Sequence, residues 1–340
     1  VTVGVGALAG FVVAHAVHGT RGRRATTRDG GRVTVAGAAS LTGASGGLGN
    51  RRVGAGGWQG MVERERERRH RRGMVFAAAA AGVAGIVAAA CGCAVTSGAA
   101  ADGRPGGGTS AVRGAADALA AAGGARIATS MEMASGGTRV TIRGEGRYDF
   151  RDRIGSLTVT LPKDPAGASE HRPITELLSP SLLYMKNRGA GVPAGKWVRI
   201  EAASLDDGNL VTGGATDPLA AAELLRTATK VSYEGEEDLA GTEVRHYRGI
   251  ADLSAAGERA APYARGALKA AVHGFATRTV PFDAYLDDAG RLRKVRQSFR
   301  YVNKGGAVTV SSTTLLYDFG TPVPVRLPPR ADIYSGRVEG

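Results

Sequence analysis

Thr138-Arg-Val-Thr-Ile-Arg-Gly-Glu-Gly-Arg-Tyr-Asp-Phe150 alternates from end to end. Val140, Ile142, Gly144, Gly146, Tyr148 and Phe150 share one face, while Arg139, Thr141, Arg143, Glu145, Arg147 and Asp149 share the other. Successive side chains of a strand point to opposite sides, so the stretch predicts a long strand with one dry and one wet face. Residues 126–135 precede it and end at Gly136-Gly137, which makes the two a hairpin. Leu157, Val159 and Leu161 continue the alternation against Ser156, Thr158 and Thr160, until Pro162 and Pro165 stop it.

Outward from this hairpin, further strands are expected at 182–186, 196–200, 230–238 and 243–253. Ser110 predicts the cap of a helix carrying Val112, Ala115, Leu119 and Ala122, closed by Gly123-Gly124. Asp217-Pro218, a cap followed by a first-turn proline, predicts a second helix to about residue 229 that buries Ala221, Leu224, Leu225 and Ala228. A third follows Pro262, with Ala264, Leu268, Ala271, Val272 and Phe275 on one stripe. Strands at 279–287, 291–303 and 307–319 complete the pattern, the first two joined by the turn Asp287-Asp288-Ala289-Gly290. Several of these strands exceed the usual length. Long antiparallel strands that are dry on one face must curl over a cover, and the few helices supply it. The expected class is α+β: a strongly curved antiparallel β half-barrel with helices covering the concave face.

The N-terminal third follows a different logic. Met61 opens an arginine-dense run, residues 74–90 carry no charge, and Cys91-Gly-Cys93 follows. A basic region, an apolar region and small residues before a cut make an export signal. Ala88-Ala89-Ala90-Cys91 resembles the lipobox of bacterial lipoprotein signals, with Ala88 standing where a larger apolar residue is usual. The resemblance implies lipidation at Cys91, with Cys93 as the alternative site. An uncleaved signal anchor is the competing reading, because the apolar run is about long enough to span a bilayer. Residues 1–60 are expected to be a disordered or over-annotated extension, 61–93 the signal, 94–109 a Gly/Pro-rich tether, and 110–340 the folded domain.

Charge supports this division. The whole chain is +13, yet residues 1–73 hold 13 Arg against four acids, and the part from Cys91 onward holds 31 basic residues against 27 acidic ones. Most of the basic excess therefore sits in the segment expected to be removed, where it reads as a positive-inside signal. Nucleic acid is not expected as a partner. With two cysteines in all, the exported part has no internal disulfide framework and depends on its core.

Three segments carry a family resemblance: Gly241-Thr-Glu-Val-Arg-His-Tyr-Arg-Gly249, Val280-Pro-Phe-Asp-Ala-Tyr-Leu-Asp-Asp-Ala-Gly-Arg-Leu-Arg-Lys-Val295, and Leu316-Tyr-Asp-Phe-Gly-Thr-Pro-Val-Pro-Val325. From about Ser110 to Ile333 the chain resembles the LppX/LprG-type lipoproteins, relatives of the LolA and LolB carriers. The resemblance implies a lipid-sized cavity between sheet and helices. It implies an extracytoplasmic, lipid-anchored monomer that binds a lipid or acyl chain and presents it at the cell envelope. The candidate lining is Tyr148, Phe150, Leu182, Tyr184, Val198, Ile200, Leu224, Leu225 and Phe282, all read as inward-facing. Gln297 shares a face with Val295 and Phe299 and is expected near an edge.

Catalysis finds little footing. Beyond Cys93 the histidines are His171, His246 and His273, and none has a carboxylate or second His at metal-ligand spacing. There is no Gly-x-Ser-x-Gly elbow. Asp287 and Asp288 read as a turn rather than an acid pair, and the run from Arg291 to Arg300 as a solvated strand face. No enzyme activity, metal or cofactor is expected. The alternative to a carrier is a sensor or interaction module on the same fold that binds an envelope protein.

Overall fold

The computed structural model describes residues 107–135, 138–162, 172–189, 191–303 and 306–336. The expected extension, signal, lipidation sites and most of the tether lie outside these residues, as does His171.

Eleven strands form one open antiparallel sheet. They are β1 (Gly124–Ser135), β2 (Thr138–Asp149), β3 (Ile154–Thr160), β4 (Ile174–Ser179), β5 (Leu182–Lys186), β6 (Trp197–Glu201), β7 (Thr229–Leu239), β8 (Thr242–Asp252), β9 (Thr279–Leu286), β10 (Leu292–Asn303) and β11 (Gly306–Tyr317). Their order is β6-β5-β4-β3-β2-β1-β11-β10-β9-β8-β7. The chain thus begins mid-sheet and steps outward, hairpin by hairpin, to β6. It reappears at the opposite edge as β7 and steps back to β11, which pairs with β1 through Ile127↔Leu316. Among the described residues four α-helices accompany the sheet: α1 (Gly107–Ala120), α2 (Pro218–Leu224), α3 (Leu253–Arg259) and α4 (Pro262–Gly274).

The register identifies the inner face. Ile127 faces Gly146, Gly146 faces Leu157, and Leu157 faces Glu176. On the other side Thr314 faces Val295, Val295 faces Ala284, and Ala284 faces Tyr247. All of these but the half-buried Gly146 are buried, whereas Arg126, Arg147 and Arg296, one position off, are exposed. Glycine allows a close approach between β2 and β3. A Cβ on Gly146 would overlap the Ser156 carbonyl of the adjacent strand, so only glycine permits that approach.

Residues 202–228 must travel from β6 to β7, from one edge of the sheet to the other, and they do so across the inner face. Their contacts follow the strand order. Gly213 abuts Glu176 of β4, and Gly214 abuts Val159 of β3 and Ile142 of β2. The Thr216 and Ser312 hydroxyls share a hydrogen bond of 2.7 Å on β11, and Gln297 Nε2 of β10 donates to the Ala221 carbonyl at 2.9 Å. Thr227 Oγ1 donates to the Asp252 carbonyl of β8 at 3.0 Å. Small residues (Gly213-Gly-Ala215 and Ala220-Ala-Ala222) bring this belt close to the sheet. Helices α3 and α4 form the outer layer, burying Leu253, Ala256 and Gly257, and Ala264, Leu268 and Ala271, respectively.

Both edges are managed. The C-terminal stretch runs beside β6, where Tyr334 N–H donates to the Trp197 carbonyl at 2.9 Å. Strand β7 is interrupted by two register shifts and carries Glu234, Glu236, Glu237 and Asp238, features that discourage edge-to-edge pairing.

Several expectations are corrected. Strand β4, Ile174–Ser179, has no counterpart among the expected strands, because Leu177 and Leu178 are both buried and the segment does not alternate. Helix α3 takes residues after Asp252, whose carboxylate accepts from Ala255 N–H at 2.8 Å and so ends the strand sooner than its apolar pattern suggests. Helix α1 begins at Gly107, three residues ahead of Ser110. Leu182 and Tyr184 are not on the inner face: the register Leu183↔Ile200 and Met185↔Val198 assigns that face to their neighbours. With a period of two, reading a five-residue strand one position out reverses every side chain. Gln297 is not near an edge. It is 1% exposed on β10, in the body of the sheet, and holds the belt.

Candidate functional site

At one end of the sheet, four connections converge around a small hollow. Tyr148, near the end of β2, donates its hydroxyl to Asp217 Oδ2 at 3.4 Å. Asp217 caps α2 through Oδ1, which accepts from Leu219 N–H at 2.8 Å and Ala220 N–H at 3.4 Å. Tyr263, in the first turn of α4, donates its hydroxyl to Glu223 Oε1 at 2.8 Å. Ser181, in the β4–β5 turn, donates to the Tyr263 carbonyl at 3.3 Å. Arg153, in the β2–β3 turn, sets its guanidinium 4.7 Å from the Tyr263 ring centre. Leu178 and Leu183 line the same hollow, whose volume is about 30 Å³. That is room for about one water molecule.

Glu223 latches this end shut. Its carboxylate, 1% exposed, accepts from Ala261 N–H at 2.9 Å, Tyr263 Oη at 2.8 Å and Arg226 Nε at 2.7 Å. Arg226 continues to Asp117 of α1 at 2.6 and 2.8 Å. One buried carboxylate therefore ties α1, α2 and α4 together. The hydrogen bonds from Arg226 to Asp117 and then to Glu223 raise the guanidinium pKa further. Burial, and then the neighbouring Asp217, hold the Tyr148 phenol well above its ordinary range. Burial and the bond to Glu223 raise Tyr263 likewise. Both phenols are therefore protonated donors at neutral pH. Burial raises Asp217 against the opposing pull of its two backbone N–H groups.

A second polar group lies deeper. Glu176, wholly buried on the inner face of β4, has no hydrogen-bond partner for either oxygen among the described residues. Burial, which outweighs the attraction of Arg188, pushes its pKa up to about 8. It is a neutral acid at pH 7, consistent with its apolar neighbours Leu157 and Met185.

The candidate lining divides. Tyr148, Phe150, Val198, Ile200, Leu224, Leu225 and Phe282 all belong to one buried cluster. The Tyr148 and Phe150 rings pack at a tilt of 36°, with centres 5.2 Å apart. Leu182 and Tyr184 are not part of that cluster, though the backbone turn at Leu182 borders the hollow. A groove of about 460 Å³ opens to solvent beside α1, between Gly107, Ala111, Gly114 and Ala118 on one wall and Arg245 and Gly290 on the other. His246 is satisfied on both ring nitrogens, by Asp283 at 2.9 Å and Glu237 at 3.2 Å. Asp287 closes its turn by accepting from Ala289 and Arg291 N–H at 3.1 and 2.9 Å.

Sequence reasoning missed Arg153, Glu223, Tyr263 and Glu176. Tyr148, as an inward-facing strand residue, and Asp217, as a helix cap, carry a signal in the sequence. The other four sit on turns, in a helix of small residues, or in the unforeseen strand.

No protein-family profile and no curated protein matches the chain. Solved structures do. The LppX lipoprotein of Mycobacterium tuberculosis aligns over 64% of this chain and 97% of its own, at 11% identity and a TM-score of 0.39. LprF of Mycobacterium bovis aligns over 65% and 96%, at 12% identity and a TM-score of 0.36. This chain is similar to lipoproteins of the LppX kind. A LolA-superfamily protein of Nitrosomonas europaea aligns over 62% of this chain and 94% of its own, at 12% identity and a TM-score of 0.30.

Proposed function

We propose that this chain is a membrane-anchored, extracytoplasmic protein that binds an acyl lipid between its sheet and its helical cover. The supporting observation is one apolar face shared by most strands of a single open sheet, covered by helices and a belt rich in Ala and Gly. In the closed form the space is filled. The hollow of about 30 Å³ is far below the several hundred Å³ that a lipid-sized guest occupies. Entry therefore requires the cover to move.

Magnitudes allow that movement. Helices α3 and α4 bury Leu253 and Leu268, and Tyr263, Val272 and Phe275 pack on the core beside them, with the rest of their inner side Ala and Gly. Exposing these five side chains costs about 10 kcal/mol, and burying a sixteen-carbon chain returns about 12 kcal/mol at ~0.8 kcal/mol per methylene. The hydrocarbon gain is comparable with the apolar cost of lifting the outer layer. The reading is of a binder rather than a catalyst. Near the hollow, the acids act as a helix cap (Asp217) and a latch (Glu223). The test is uptake of a fluorescent sixteen-carbon fatty acid by the full chain, with saturable binding expected.

A second reading has its own support. An interior already filled with side chains suits a module that recognises an envelope protein and carries no lipid. Failure of the chain to take up any acyl probe favours that reading.

A further inference from the structure

The outer face of the sheet carries a set of cations without partners. Arg139 and Arg143 of β2 and Arg296 and Arg300 of β10 are all exposed. The register sets them at the ends of two rows across the sheet. Arg143 faces Ser130, Ser130 faces Thr313, and Thr313 faces Arg296. Arg139 faces Ala134, Ala134 faces Thr309, and Thr309 faces Arg300. Three strand spacings separate the ends of each row, about 14 Å, and four residues along a strand separate the rows, again about 14 Å. The four arginines thus stand at the corners of a square whose sides exceed the screening length in physiological salt. Like charges directly opposite one another destabilise a strand pair, and the small residues of β1 and β11 keep these two columns apart.

Elsewhere the fold neutralises its cations. Arg226 meets Asp117, Arg248 meets Asp283, Lys269 meets Glu258 and Arg291 meets Asp287. Among the described residues none of the four corner arginines forms an ion pair, although Glu132 and Glu145 share their face. Asp283 faces Arg296 in register, but His246 at 2.9 Å and Arg248 at 3.1 Å occupy it. The row between the corners, Thr141, Glu132, Ser311 and Ser298, holds no aromatic or aliphatic side chain.

We propose that this outer face docks on an anionic lipid bilayer, with Arg139, Arg143, Arg296 and Arg300 as its phosphate contacts. A bilayer presents a plane of phosphates, which a two-dimensional array of cations meets and a single row does not. The guanidinium fork pairs with phosphate through two parallel hydrogen bonds. A nucleic-acid strand calls for aromatic side chains among the cations, on which bases stack, and a protein partner for an aromatic or aliphatic anchor. The square contains neither. Chain length permits the contact: fully extended, residues 94–106 span about 45 Å, enough for a domain anchored at Cys91 to turn this face to the membrane. Acyl-lipid uptake concerns the opposite face of the sheet, so either reading can fail alone.

The experiment titrates the full chain with vesicles of phosphatidylcholine alone and of phosphatidylcholine mixed equally with phosphatidylglycerol. Two charge-matched variants are compared with the wild type. One carries Arg143→Gln, Arg296→Gln and Arg300→Gln on the outer face. The other carries Arg259→Gln, Arg265→Gln and Lys269→Gln on the helical cover of the opposite face. All six positions are exposed, so the fold is kept, which circular dichroism checks. The basic residues ahead of Cys91 act equally in all three proteins and cancel in the comparison. A basic residue at an anionic surface is worth about fivefold in affinity, so the outer-face variant should lose about 25- to 125-fold on the mixed vesicles. Arg143→Gln alone should lose about fivefold. Binding to phosphatidylcholine should not change, the cover variant should bind as the wild type does, and high salt should erase the difference. Equal losses in the two triple variants, or no loss in the outer-face variant, overturn the proposal. Loss of polyglutamate binding in the outer-face variant, with vesicle binding intact, would assign the face to an acidic protein and overturn it as well.

Discussion

Replacing Glu176 by Gln should make the protein more stable at neutral and alkaline pH and flatten its response to pH. The folded state holds the Glu176 pKa at about 8, against an ordinary 4.5. Between those values the native protein keeps a proton that the unfolded chain has released. Stability then falls as pH rises, by about 1.4 kcal/mol per pH unit. The loss is absent below pH 4.5, amounts to about 3 kcal/mol at pH 7, and is complete, at about 5 kcal/mol, above pH 8. Glutamine has nearly the same shape and no charge to release. Glu176→Gln should therefore resemble the wild type at pH 5 and exceed it by about 3 kcal/mol at pH 7, with the gap still widening at pH 8. Urea unfolding of both proteins at pH 5, 6, 7 and 8 reads this directly. Parallel profiles for the two proteins would refute the reasoning, since they would mean that Glu176 is ionised in the native state or exposed to water.

Three further outcomes test other parts of the account. Glu223→Ala removes the acceptor shared by Ala261, Tyr263 and Arg226, and should cost about 3 kcal/mol in chemical denaturation, as breaking a buried charged pair does. The same variant should take up an acyl probe faster in stopped-flow fluorescence, because the latch on α4 is gone. Gly208→Ala should destabilise strongly, with a lowered midpoint in thermal melts: its φ is 58, and a Cβ there would overlap the Ala267 carbonyl of α4. Cys91→Ala should move the protein from the membrane to the soluble fraction on cell fractionation, whereas unchanged retention would transfer the anchor to Cys93 or to an uncleaved helix.

The fold was legible where one physical signal acted alone. The alternation of residues 138–150 fixed both faces of β2, and the Asp217-Pro218 pair marked the start of α2. Legibility failed where signals overlapped. In Ile174–Ser179 burial on both faces removed the alternation, and in β5 five residues gave too little pattern to distinguish Leu183 and Met185 from Leu182 and Tyr184. The hollow was harder still. Its parts lie at positions 148, 153, 181, 217 and 263, and no local spacing connects them. They meet because the belt crosses the sheet, and that crossing follows from strand order rather than from any motif.

The central claim is that a hydrocarbon chain displaces the helical cover and lies on the apolar face of the sheet. Native mass spectrometry of the full chain, purified without detergent and then incubated with hexadecanoate, tests it most directly. The account predicts a bound mass corresponding to acyl lipid, carried through purification or gained on incubation. Protein that stays lipid-free in both conditions would contradict it.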